Sequence, residues 1–369
     1  MLIWALAAAL VWLSILLLPW RPWGTREQIS AAAPGSAGGL AEVTALVPAR
    51  NEALCITETL PRLAAQGDLA RIILIDDESD DGTGNLARGL GIHQLTVLAG
   101  QRPPSGWSGK LWALEQGLRE VETRYVLLMD ADIALAPGIL DALLGKLERE
   151  NRDLVSVMAS LSMQHWFEKL LIPPFIYFFK MLYPFALANG KTRWIAAAAG
   201  GCILIKTDTL RGLGGFAALR DALIDDCTLA RAVKQHGGQT WLGLSRDVAA
   251  ARPYDSVSSI WNMVARTAFT QLRYSTPLLL LCTALLVLTF LVPVLGLFVP
   301  GSGVRLAAAF GCLAMMGSYL PVLRFYDRSW WWAATLPLAA SLYLAMTWTS
   351  AIRYFRGERS RWKNRSYDR

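Results

Sequence analysis

The stretch Y-V-L-L-M-D-A-D, from Tyr125 to Asp132, joins five largely apolar residues to two carboxylates one residue apart. A short apolar run that ends in charge is typical of a strand buried on both faces of a parallel sheet. Ligands of open α/β sheets bind at the carboxyl ends of such strands. A bend after this strand would turn Asp130 and Asp132 toward one Mg²⁺ or Mn²⁺ ion, since both cations take oxygen ligands. The alternative is a polar turn after a core strand, because D-x-D alone is a weak motif.

Short apolar runs alternate with helical stretches on the N-terminal side of this strand. Such alternation indicates βαβ units, a mostly parallel sheet and right-handed crossovers. The sequence therefore predicts an α/β fold for this part of the chain. The predicted strands cover residues 43–47, 71–75 and 95–98, and the predicted helices cover residues 52–66, 85–90 and 110–120.

The ends of the first two predicted strands are unusually polar. The first strand leads into Pro48-Ala49-Arg50-Asn51-Glu52, and the second leads into the acidic segment from Asp76 to Thr83. Carboxylates this dense repel one another unless cations or hydrogen-bond donors offset them. Together with the D-A-D pair they suggest a nucleotide pocket, in which Asp76 or Asp77 accepts from the base or ribose and the metal binds the diphosphate. A solvated acidic loop is the alternative.

Long uncharged segments lie at both ends of the chain, in which 54% of the residues are hydrophobic. Residues 2–20 are long enough to cross a bilayer, and they lack the basic region and the clear cleavage site of a signal peptide. Further uncharged runs cover residues 277–300, 306–323 and 330–352. We predict an N-terminal transmembrane anchor (1–20), a linker (21–42), a hydrophilic domain (43–275), about three C-terminal transmembrane helices (276–352) and a basic tail (353–369).

The distribution of charge predicts the orientation in the membrane. Arg21 and Arg26 follow the first apolar segment and no charged residue precedes it, so the positive-inside rule places the hydrophilic domain in the cytoplasm. Three later spans would put the basic tail outside, against the same rule, whereas a re-entrant segment around 303–323 would keep it inside. The tail holds seven Arg or Lys and two acids, and it contributes most of the net charge of +7. Attraction to anionic lipid explains this charge more simply than a nucleic-acid partner does.

The cysteines and histidines argue against a disulfide framework and against a zinc site. The five cysteines are odd in number and form no C-x-x-C pair, and His93, His165 and His236 are scattered. A reduced cytoplasmic compartment fits this pattern.

Six motifs follow one another along the chain: V-P-A-R-N-E, I-D-D-E-S-D-D-G-T, G-K-L-W-A-L-E-Q-G, M-D-A-D, the stretch from Gly200 to Phe216, and I-D-D-C-T-L-A-R from Ile224 to Arg231. In this order and spacing they together resemble family 2 glycosyltransferases. The chain resembles that family from about Val43 to Tyr274, and the W-S-G-K variant at Trp107 to Lys110 is most similar to the hopanoid-biosynthesis-associated members, relatives of ceramide glucosyltransferase. The resemblance implies a GT-A nucleotide-sugar-binding domain in a bacterial inner-membrane, multi-pass protein.

The resemblance also assigns roles to residues of this chain. Asp226 corresponds to the catalytic base, with Asp225 in place of the usual Glu, and an N-terminal helix cap is the alternative for both. Asp130 and Asp132 would bind Mg²⁺ or Mn²⁺, and Lys110 would be a second positive charge there or, alternatively, a solvated lysine. Donor contacts are implied for Pro48, Arg50, Glu52, Asp76, Asp77, Lys110 and Asp130, and acceptor contacts for Gly200, Gly201, Arg273 and Tyr274.

One motif departs from the family pattern. The Q-x-x-R-W motif of many lipid- and polymer-forming members is matched only by Thr270-Gln271-Leu272-Arg273-Tyr274, which weakens the case for a polymer-extending enzyme. Amphipathic segments near 165–187 and 258–273 are predicted to lie at the membrane interface, and packing against the domain core is their alternative.

These expectations combine into an inverting transfer of a sugar from a nucleotide-diphosphate donor, by preference a UDP-sugar, to a lipid hydroxyl such as that of a hopanoid. Three other hypotheses stay open: a polyprenyl-phosphate glycosyltransferase, a polysaccharide synthase, and a non-catalytic scaffold that binds nucleotide sugars.

Overall fold

The computed structural model describes residues 1–36, 38–220 and 225–358, and the backbone of 361–362 and 365–366. The chain divides into two compact units. One, here called the helical unit, comprises Met1–Arg26, Met163–Ala186 and Tyr254–Ser360. The other, the sheet unit, comprises Glu27–Ser162, Leu187–Pro253 and Arg361–Arg369.

An eight-stranded sheet forms the centre of the sheet unit. Its strand order is β3-β2-β1-β4-β7-β6-β8-β5, in which β5 and β7 run antiparallel to their neighbours and the other strands share one direction. This confirms the predicted α/β fold with a mostly parallel sheet. The strands are β1 (Val43–Ala49), β2 (Arg71–Asp76), β3 (Leu95–Ala99), β4 (Tyr125–Met129), β5 (Ile133–Leu135), β6 (Leu154–Ser160), β7 (Cys202–Lys206) and β8 (Thr240–Ala250).

Helices accompany the sheet, and the apolar strands are buried on both faces. In β4, Tyr125 and Leu127 belong to one hydrophobic cluster, whereas Val126 and Leu128 belong to another. Successive side chains of a strand point to opposite faces, so a strand in the middle of this sheet must be apolar throughout. The α-helices are Ala53–Ala64, Thr83–Gly89, Gly109–Arg119, Ile139–Arg149, Thr207–Gly212 and Asp225–Gln235, with 3₁₀ turns at Leu40–Glu42 and Gly215–Leu219.

The elements predicted before Asp130 are all present, with ends within about three residues of the expected ones. The sequence analysis assigned no strand between Ile133 and Ala250, where the structure has four. Two of these four, β5 and β7, are the antiparallel strands. Their hydrogen-bond partners also lie far away along the chain.

The segment predicted as a linker is partly bound to the sheet unit. Ile29 N donates to Leu244 O at 3.0 Å, and Leu244 N donates to Glu27 O at 2.8 Å, so this segment pairs with β8. Ala32 N then donates to Gly138 O at 3.1 Å. Gly138 has a φ of +82°, and a Cβ atom built there would lie 2.0 Å from Ala32 O. The structure therefore requires glycine at position 138 both for its backbone angle and for the close approach of this segment.

The helical unit contains the N-terminal helix and the helices that follow Tyr254. The pair Thr276–Leu286 and Val292–Gly296 is continuous through a π-helical stretch at Val287–Leu291. A short helix, Phe185–Ala188, lies where the chain passes from one unit to the other. The remaining elements of the helical unit are Leu2–Leu17, Trp166–Leu182, Val257–Gln271, Ser302–Phe325, the 3₁₀ turn Trp330–Thr335, and Leu336–Phe355.

Within the described residues, two helical segments have the length and composition to cross a membrane: Thr276–Gly296 and Ser302–Phe325. Leu2–Leu17 is apolar but shorter, and Leu336–Phe355 does not meet the same test. The predicted total of about four spans is therefore not confirmed. The segment around 303–323, considered as a re-entrant loop, is instead one helix of 24 residues.

The boundaries of the predicted hydrophilic domain differ from those of the units. The two segments predicted to be interfacial, near 165–187 and 258–273, fall mostly in the helical unit with the apolar helices. Arg273 and Tyr274 belong to the same unit. Hydrophilic composition alone does not reveal this division, because both segments carry charges as well as apolar faces.

Replacing Gly138 with Ala should lower the melting temperature of the full-length protein by several degrees, because the new Cβ would collide with Ala32 O. The matched control is Gly237→Ala, at a similar φ of +86° with open space around the Cβ position. The control isolates the backbone cost of about 1–2 kcal/mol. Equal losses in the two variants would show that the contact with residue 32 contributes nothing to stability.

Candidate functional site

The polar ends of β1, β2 and β4 meet at one edge of the sheet. β1 pairs in parallel with both β2 and β4, so their carboxyl ends emerge together. The alignment continues beyond the strands, since Asp77 N donates to Ala49 O at 2.8 Å and Gly100 N donates to Asp76 O at 2.9 Å. This arrangement agrees with the expectation that the predicted donor residues of these strands share one edge.

The antiparallel pairing of β4 with β7 places the glycine pair beside the D-A-D segment. Asp130 N donates to Gly201 O at 3.1 Å, which extends the strand pairing by one step. A Cβ atom at Gly201 would lie 3.2 Å from the side chain of Ile133. A residue larger than glycine would therefore crowd the turn that follows Asp130.

Lys110 joins two acidic residues from different parts of the chain. The lysine is in the first turn of the helix Gly109–Arg119, where Ser108 Oγ accepts from Leu111 N at 3.3 Å as the N-cap. Its Nζ lies 2.8 Å from Asp130 Oδ1 and 3.5 Å from Asp225 Oδ2. Burial opposes the charged form of Lys110, yet these carboxylates raise its pKa above the usual value. The lysine is thus an ion-pair partner in the site rather than a solvated residue.

Asp226 is held by two backbone donors. Its Oδ2 accepts from Gly200 N at 2.8 Å, and its Oδ1 accepts from Cys227 N at 2.7 Å. The second bond is a local contact at the start of the helix Asp225–Gln235, as the capping alternative requires, but the first reaches across to the glycine loop. Burial, followed by the charge of Asp225, raises the pKa of Asp226 to about 6. Such a carboxyl is mostly ionised at neutral pH and still basic enough to accept a proton.

Small residues and one serine fix the loop that carries Gly200. A Cβ atom at Gly200 would lie 3.3 Å from Asp226 Oδ2 and 3.4 Å from Lys110 Nζ. Ser156 Oγ accepts from Ala199 N at 2.8 Å and donates to Ala199 O at 3.0 Å. Since Ser156 is on β6 and fully buried, the loop is fastened to the sheet directly before the glycine.

A buried lysine organises the segment that precedes this loop. Lys234 Nζ donates to Thr192 O at 2.9 Å and to Ile195 O at 2.8 Å, and its side chain is only 3% exposed. Burial lowers the pKa of Lys234 to about 8. Sequence reasoning did not single out Lys234, because one lysine near a helix end carries no signal of burial.

Arg50 and Asp77 form a buried pair at the end of β1. Arg50 Nη1 donates to Asp77 O at 2.5 Å and lies 3.9 Å from its carboxylate, while Asp77 is 1% exposed. Arg50 Nε is buried and has no hydrogen-bond partner in the part of the chain that the structure describes. A buried donor left in this state is costly, so a ligand oxygen at this position would suit it.

The acidic segment after β2 is stabilised by hydrogen-bond donors. Asp76 Oδ1 accepts from Ser79 N at 3.1 Å, and Asp81 accepts from Ala53 N and Thr83 N, each at 3.0 Å. The glycine at position 84 makes room for Asp76, since a Cβ there would lie 2.3 Å from its Oδ2. The carboxylates therefore shape an ordered turn, and Asp76 is more accessible in it than the buried Asp77.

A further pair, Glu52 with Arg252, was missed by the sequence analysis. Arg252 Nη2 donates to Glu52 Oε2 at 2.5 Å, and Glu52 is buried. Ala251 N donates to Asp132 O at 2.7 Å, so the end of β8 brings Arg252 to the D-A-D turn. Two residues 200 positions apart give no local pattern, which is why Arg252 could not be found from spacing.

The D-A-D turn offers few protein ligands for a metal. No group of three or more His, Cys, Asp or Glu suited to a metal occurs among the described residues. Mg²⁺ and Mn²⁺ bound with a nucleotide need only one or two carboxylates, because phosphate and water supply the remaining oxygens. Burial raises the pKa of Asp130, and the nearby charge of Asp132 adds to this effect. Asp130 and Asp132 could supply these one or two carboxylates to a cation that arrives with a diphosphate.

Arg273 and Tyr274 lie in the helical unit, directly after the helix Val257–Gln271. Both have positive φ angles, 53° and 55°. The Tyr274 ring stacks on Tyr354 with a centroid distance of 4.5 Å, and Thr270 Oγ1 donates to the Tyr274 hydroxyl at 3.1 Å. Their assignment to the acceptor is untested and stays a prediction. Ile224, the first residue of the I-D-D-C motif, lies outside the described residues.

Comparisons with known proteins support the motif analysis. Residues 44–214 match the family Glycosyl transferase family 2. The 4,4'-diaponeurosporenoate glycosyltransferase of Staphylococcus haemolyticus is 29% identical over 117 residues, which is 31% of each chain. The probable glycosyltransferase YdaM of Bacillus subtilis is 26% identical over 184 residues, 48% of this chain and 43% of that one. The matched stretches thus span less than half of either relative.

The fold is also similar to that of a solved enzyme. The mannosyltransferase PcManGT from Pyrobaculum calidifontis, in complex with GDP-Man and Mn²⁺, has a TM-score of 0.56 at 18% identity, covering 97% of this chain and 100% of that one. This likeness establishes a GT-A-like fold. Residues 44–214, which include the ends of β1, β2 and β4, are thus similar to the family Glycosyl transferase family 2.

Proposed function

We propose that this protein is an inverting membrane glycosyltransferase that moves a sugar from a nucleotide-diphosphate donor, by preference a UDP-sugar, to a lipid hydroxyl. The observation that carries the proposal is the convergence of Lys110, Asp130 and Asp225 beside Asp226. A cation, two partner carboxylates and a carboxylate of raised pKa lie together at the strand edge. These are the groups that transfer from a diphosphate leaving group requires.

The donor would lie along the ends of β1, β2 and β4. Arg50 supports this position because its buried Nε has no partner in the described chain. Asp76 is the better candidate for the base or ribose, since Asp77 is buried against Arg50. Pro48 and Glu52 would line the donor site on the side of β1. Arg252 holds the Glu52 carboxylate in place.

The diphosphate would be neutralised from two sides. Asp130 and Asp132 would hold Mg²⁺ or Mn²⁺, which acts as a Lewis acid on the phosphate oxygens. Lys110 supplies a second positive charge beside the same carboxylates. Asp130 and Asp225 keep this lysine protonated. A fixed ammonium in a buried site stabilises developing negative charge without reorganising at the moment of reaction.

Asp226 would act as the general base. Its two oxygens accept backbone hydrogen bonds, which fix the carboxylate beside Gly200. The absence of a side chain at Gly200 lets an acceptor hydroxyl approach closely. The acceptor oxygen would form a bond to the anomeric carbon as the bond to the diphosphate breaks, and its proton would pass to Asp226. One displacement inverts the anomeric configuration, and a positioned base contributes about 10²- to 10⁴-fold.

A lipid acceptor fits the rest of the chain. The helical unit contains two helices suited to a membrane, together with the two segments predicted to be interfacial. The name of one relative identifies 4,4'-diaponeurosporenoate as its substrate, and the W-S-G-K variant favours a hopanoid or a similar lipid here. We therefore assign the protein to the bacterial inner membrane, with the sheet unit in the cytoplasm.

The contacts of the helix Leu336–Phe355 suggest how the basic tail is oriented. Trp261 Nε1 donates to Thr349 Oγ1 at 3.2 Å, Phe269 N donates to Ser350 Oγ at 3.1 Å, and the Tyr343 hydroxyl donates to Leu171 O at 2.8 Å. The helix thus packs against the two predicted interfacial segments. If it also lies at the interface, then the spans among the described residues are Leu2–Leu17, Thr276–Gly296 and Ser302–Phe325, and the tail would stay in the cytoplasm, as its charge favours.

The direct test is release of nucleoside diphosphate by the full-length protein in lipid nanodiscs, using a panel of sugar nucleotides with Mg²⁺ or Mn²⁺. We expect release to rise with a bacterial lipid extract and to stop with EDTA or with Asp130→Ala. Asp226→Asn should lower turnover by about 10²- to 10⁴-fold at saturating donor and metal, while donor binding is retained.

The pH dependence tests the base separately. The pKa of Asp226 is raised to about 6, and the base form is the deprotonated one. Turnover should therefore increase as the pH rises through about 6 and then level off. Asp225→Asn should move this rise in turnover to lower pH, because the charge of Asp225 is one cause of the raised pKa of Asp226.

The outcomes also separate the other hypotheses. Turnover that is indifferent to Asp226→Asn would point to an acceptor already ionised, such as polyprenyl phosphate. Long labelled products would indicate a polysaccharide synthase. Metal-dependent binding without release from any donor would contradict the enzymatic proposal and favour a binding scaffold.

Reporter fusions in a bacterial host test the orientation of the tail. Green fluorescent protein fused after residue 369 should fluoresce, and alkaline phosphatase at the same position should be inactive, because the tail is expected in the cytoplasm. Fusions after Gly301, between the helical segments Thr276–Gly296 and Ser302–Phe325, are the control. There, green fluorescent protein should not fluoresce and alkaline phosphatase should be active. An active phosphatase after residue 369 would mean that Leu336–Phe355 crosses the membrane.

A further inference from the structure

The helical unit contains a cavity that has no part in the proposed transfer reaction. It lies along the C-terminal half of the helix Ser302–Phe325 and the turn that follows it, and it encloses about 670 Å³. This volume is within the range of small-molecule sites, about 300–1,000 Å³. Leu313, Gly317, Leu320, Arg324, Arg328 and Trp330 are among the residues that line it, and we call it the arginine-ended groove.

One face of a single helix forms the apolar wall of the groove. Leu313, Gly317, Leu320 and Arg324 are spaced by four, three and four residues, which places them on the same side of an α-helix. A Cβ atom built at Gly317 meets nothing within 4 Å. Leu313 is 69% exposed. The wall is therefore apolar, open and notched at its centre.

The length of the wall matches one leaflet of a bilayer. Eleven residues separate Leu313 from Arg324, and at 1.5 Å per residue they span roughly 16 Å. Half of a hydrocarbon core of about 30 Å is about 15 Å. An acyl chain along this wall would thus extend from the mid-plane to the membrane surface.

Two arginines and a tryptophan mark the end of the groove. Arg324 is in the last turn of the helix, and Arg328 Nε donates to Tyr326 O at 2.8 Å, which fixes the base of its guanidinium group. Asp327 lies between them in sequence. Trp330 is 72% exposed, as expected of an aromatic residue at the membrane interface. Guanidinium groups suit phosphate because they can donate two parallel hydrogen bonds.

We propose that the arginine-ended groove binds one anionic phospholipid, with its phosphate at Arg324 and Arg328 and one acyl chain against Leu313, Gly317 and Leu320. The inference rests on the membrane association in the proposed function, but not on the transfer chemistry. In the proposed orientation this end of the helix faces the cytoplasm, where basic pockets between transmembrane helices bind anionic head groups. The groove is formed by residues of the helical unit alone, and none of them is among the predicted donor or acceptor contacts.

The test uses the full-length protein in neutral detergent, with phosphatidylglycerol as the probe and phosphatidylcholine as the neutral comparison. Bound lipid is measured by mass spectrometry of the intact complex over a range of lipid concentrations. Arg324→Gln/Arg328→Gln should weaken phosphatidylglycerol binding about tenfold, as expected for lost charge-assisted bonds to phosphate. Gly317→Trp, which fills open space, should weaken it as well. Arg305→Gln, at the opposite end of the same helix, should leave it unchanged.

Equal phosphatidylglycerol binding by the wild type, the double variant and Gly317→Trp would overturn the proposal, as would equal affinity of the wild type for phosphatidylcholine. The melting temperature of each variant shows whether it is folded. Release of nucleoside diphosphate in neutral-lipid nanodiscs separates the two proposals. If the groove binds no lipid but release persists, only the groove is wrong; if lipid binds but no donor turns over, only the transferase is wrong.

Discussion

The ion cluster centred on Lys110 is the constraint on which the candidate site depends. The ammonium group lies 2.8 Å from Asp130 and 3.5 Å from Asp225, and it thereby connects the helix Gly109–Arg119, the end of β4 and the helix Asp225–Gln235. These side chains are only partly buried, but removing one member of such an ion pair still leaves a partly desolvated charge without its partner, which is unfavourable. These elements must therefore keep their relative positions, and the position of Asp226 follows from that of its neighbour Asp225.

The glycine loop depends on the same cluster. Gly200 N donates to Asp226, while a side chain at Gly200 would crowd both Asp226 and Lys110. Ser156 secures the residue before Gly200 from the sheet. The loop is therefore held by contacts on both sides, and a side-chain-free surface faces the carboxylate. If Asp226 is the base, as proposed, the backbone around it is already in place before a proton is accepted.

The sequence predicted the first half of the fold well because there the local pattern and the global structure agree. A strand such as Tyr125–Met129 is buried on both faces, so its apolar run identifies it without knowledge of its partners. The short strand Ile133–Leu135 pairs with Val248 to Ala250, more than a hundred positions away, and no local pattern reveals such a pairing. The segment from Glu27 to Gly35 has a linker composition, but it is bound through backbone atoms, which composition does not describe. Among the site residues, the acidic and glycine motifs were found, whereas Arg252 and Lys234 act through tertiary contacts alone.

Counting apolar residues also fails to separate helices that cross a membrane from helices that lie on it. Leu336–Phe355 is as long as a span, yet Thr349 and Ser350 use their hydroxyls to bind Trp261 and the backbone at Phe269. These hydrogen bonds join the helix to the charged, amphipathic segment Val257–Gln271. If this helix lies at the interface, as proposed, the basic residues that follow it stay on the side that the positive-inside rule favours. Hydropathy and charge then predict the same side of the membrane for the basic tail. The two predictions disagree when every apolar run is counted as a span.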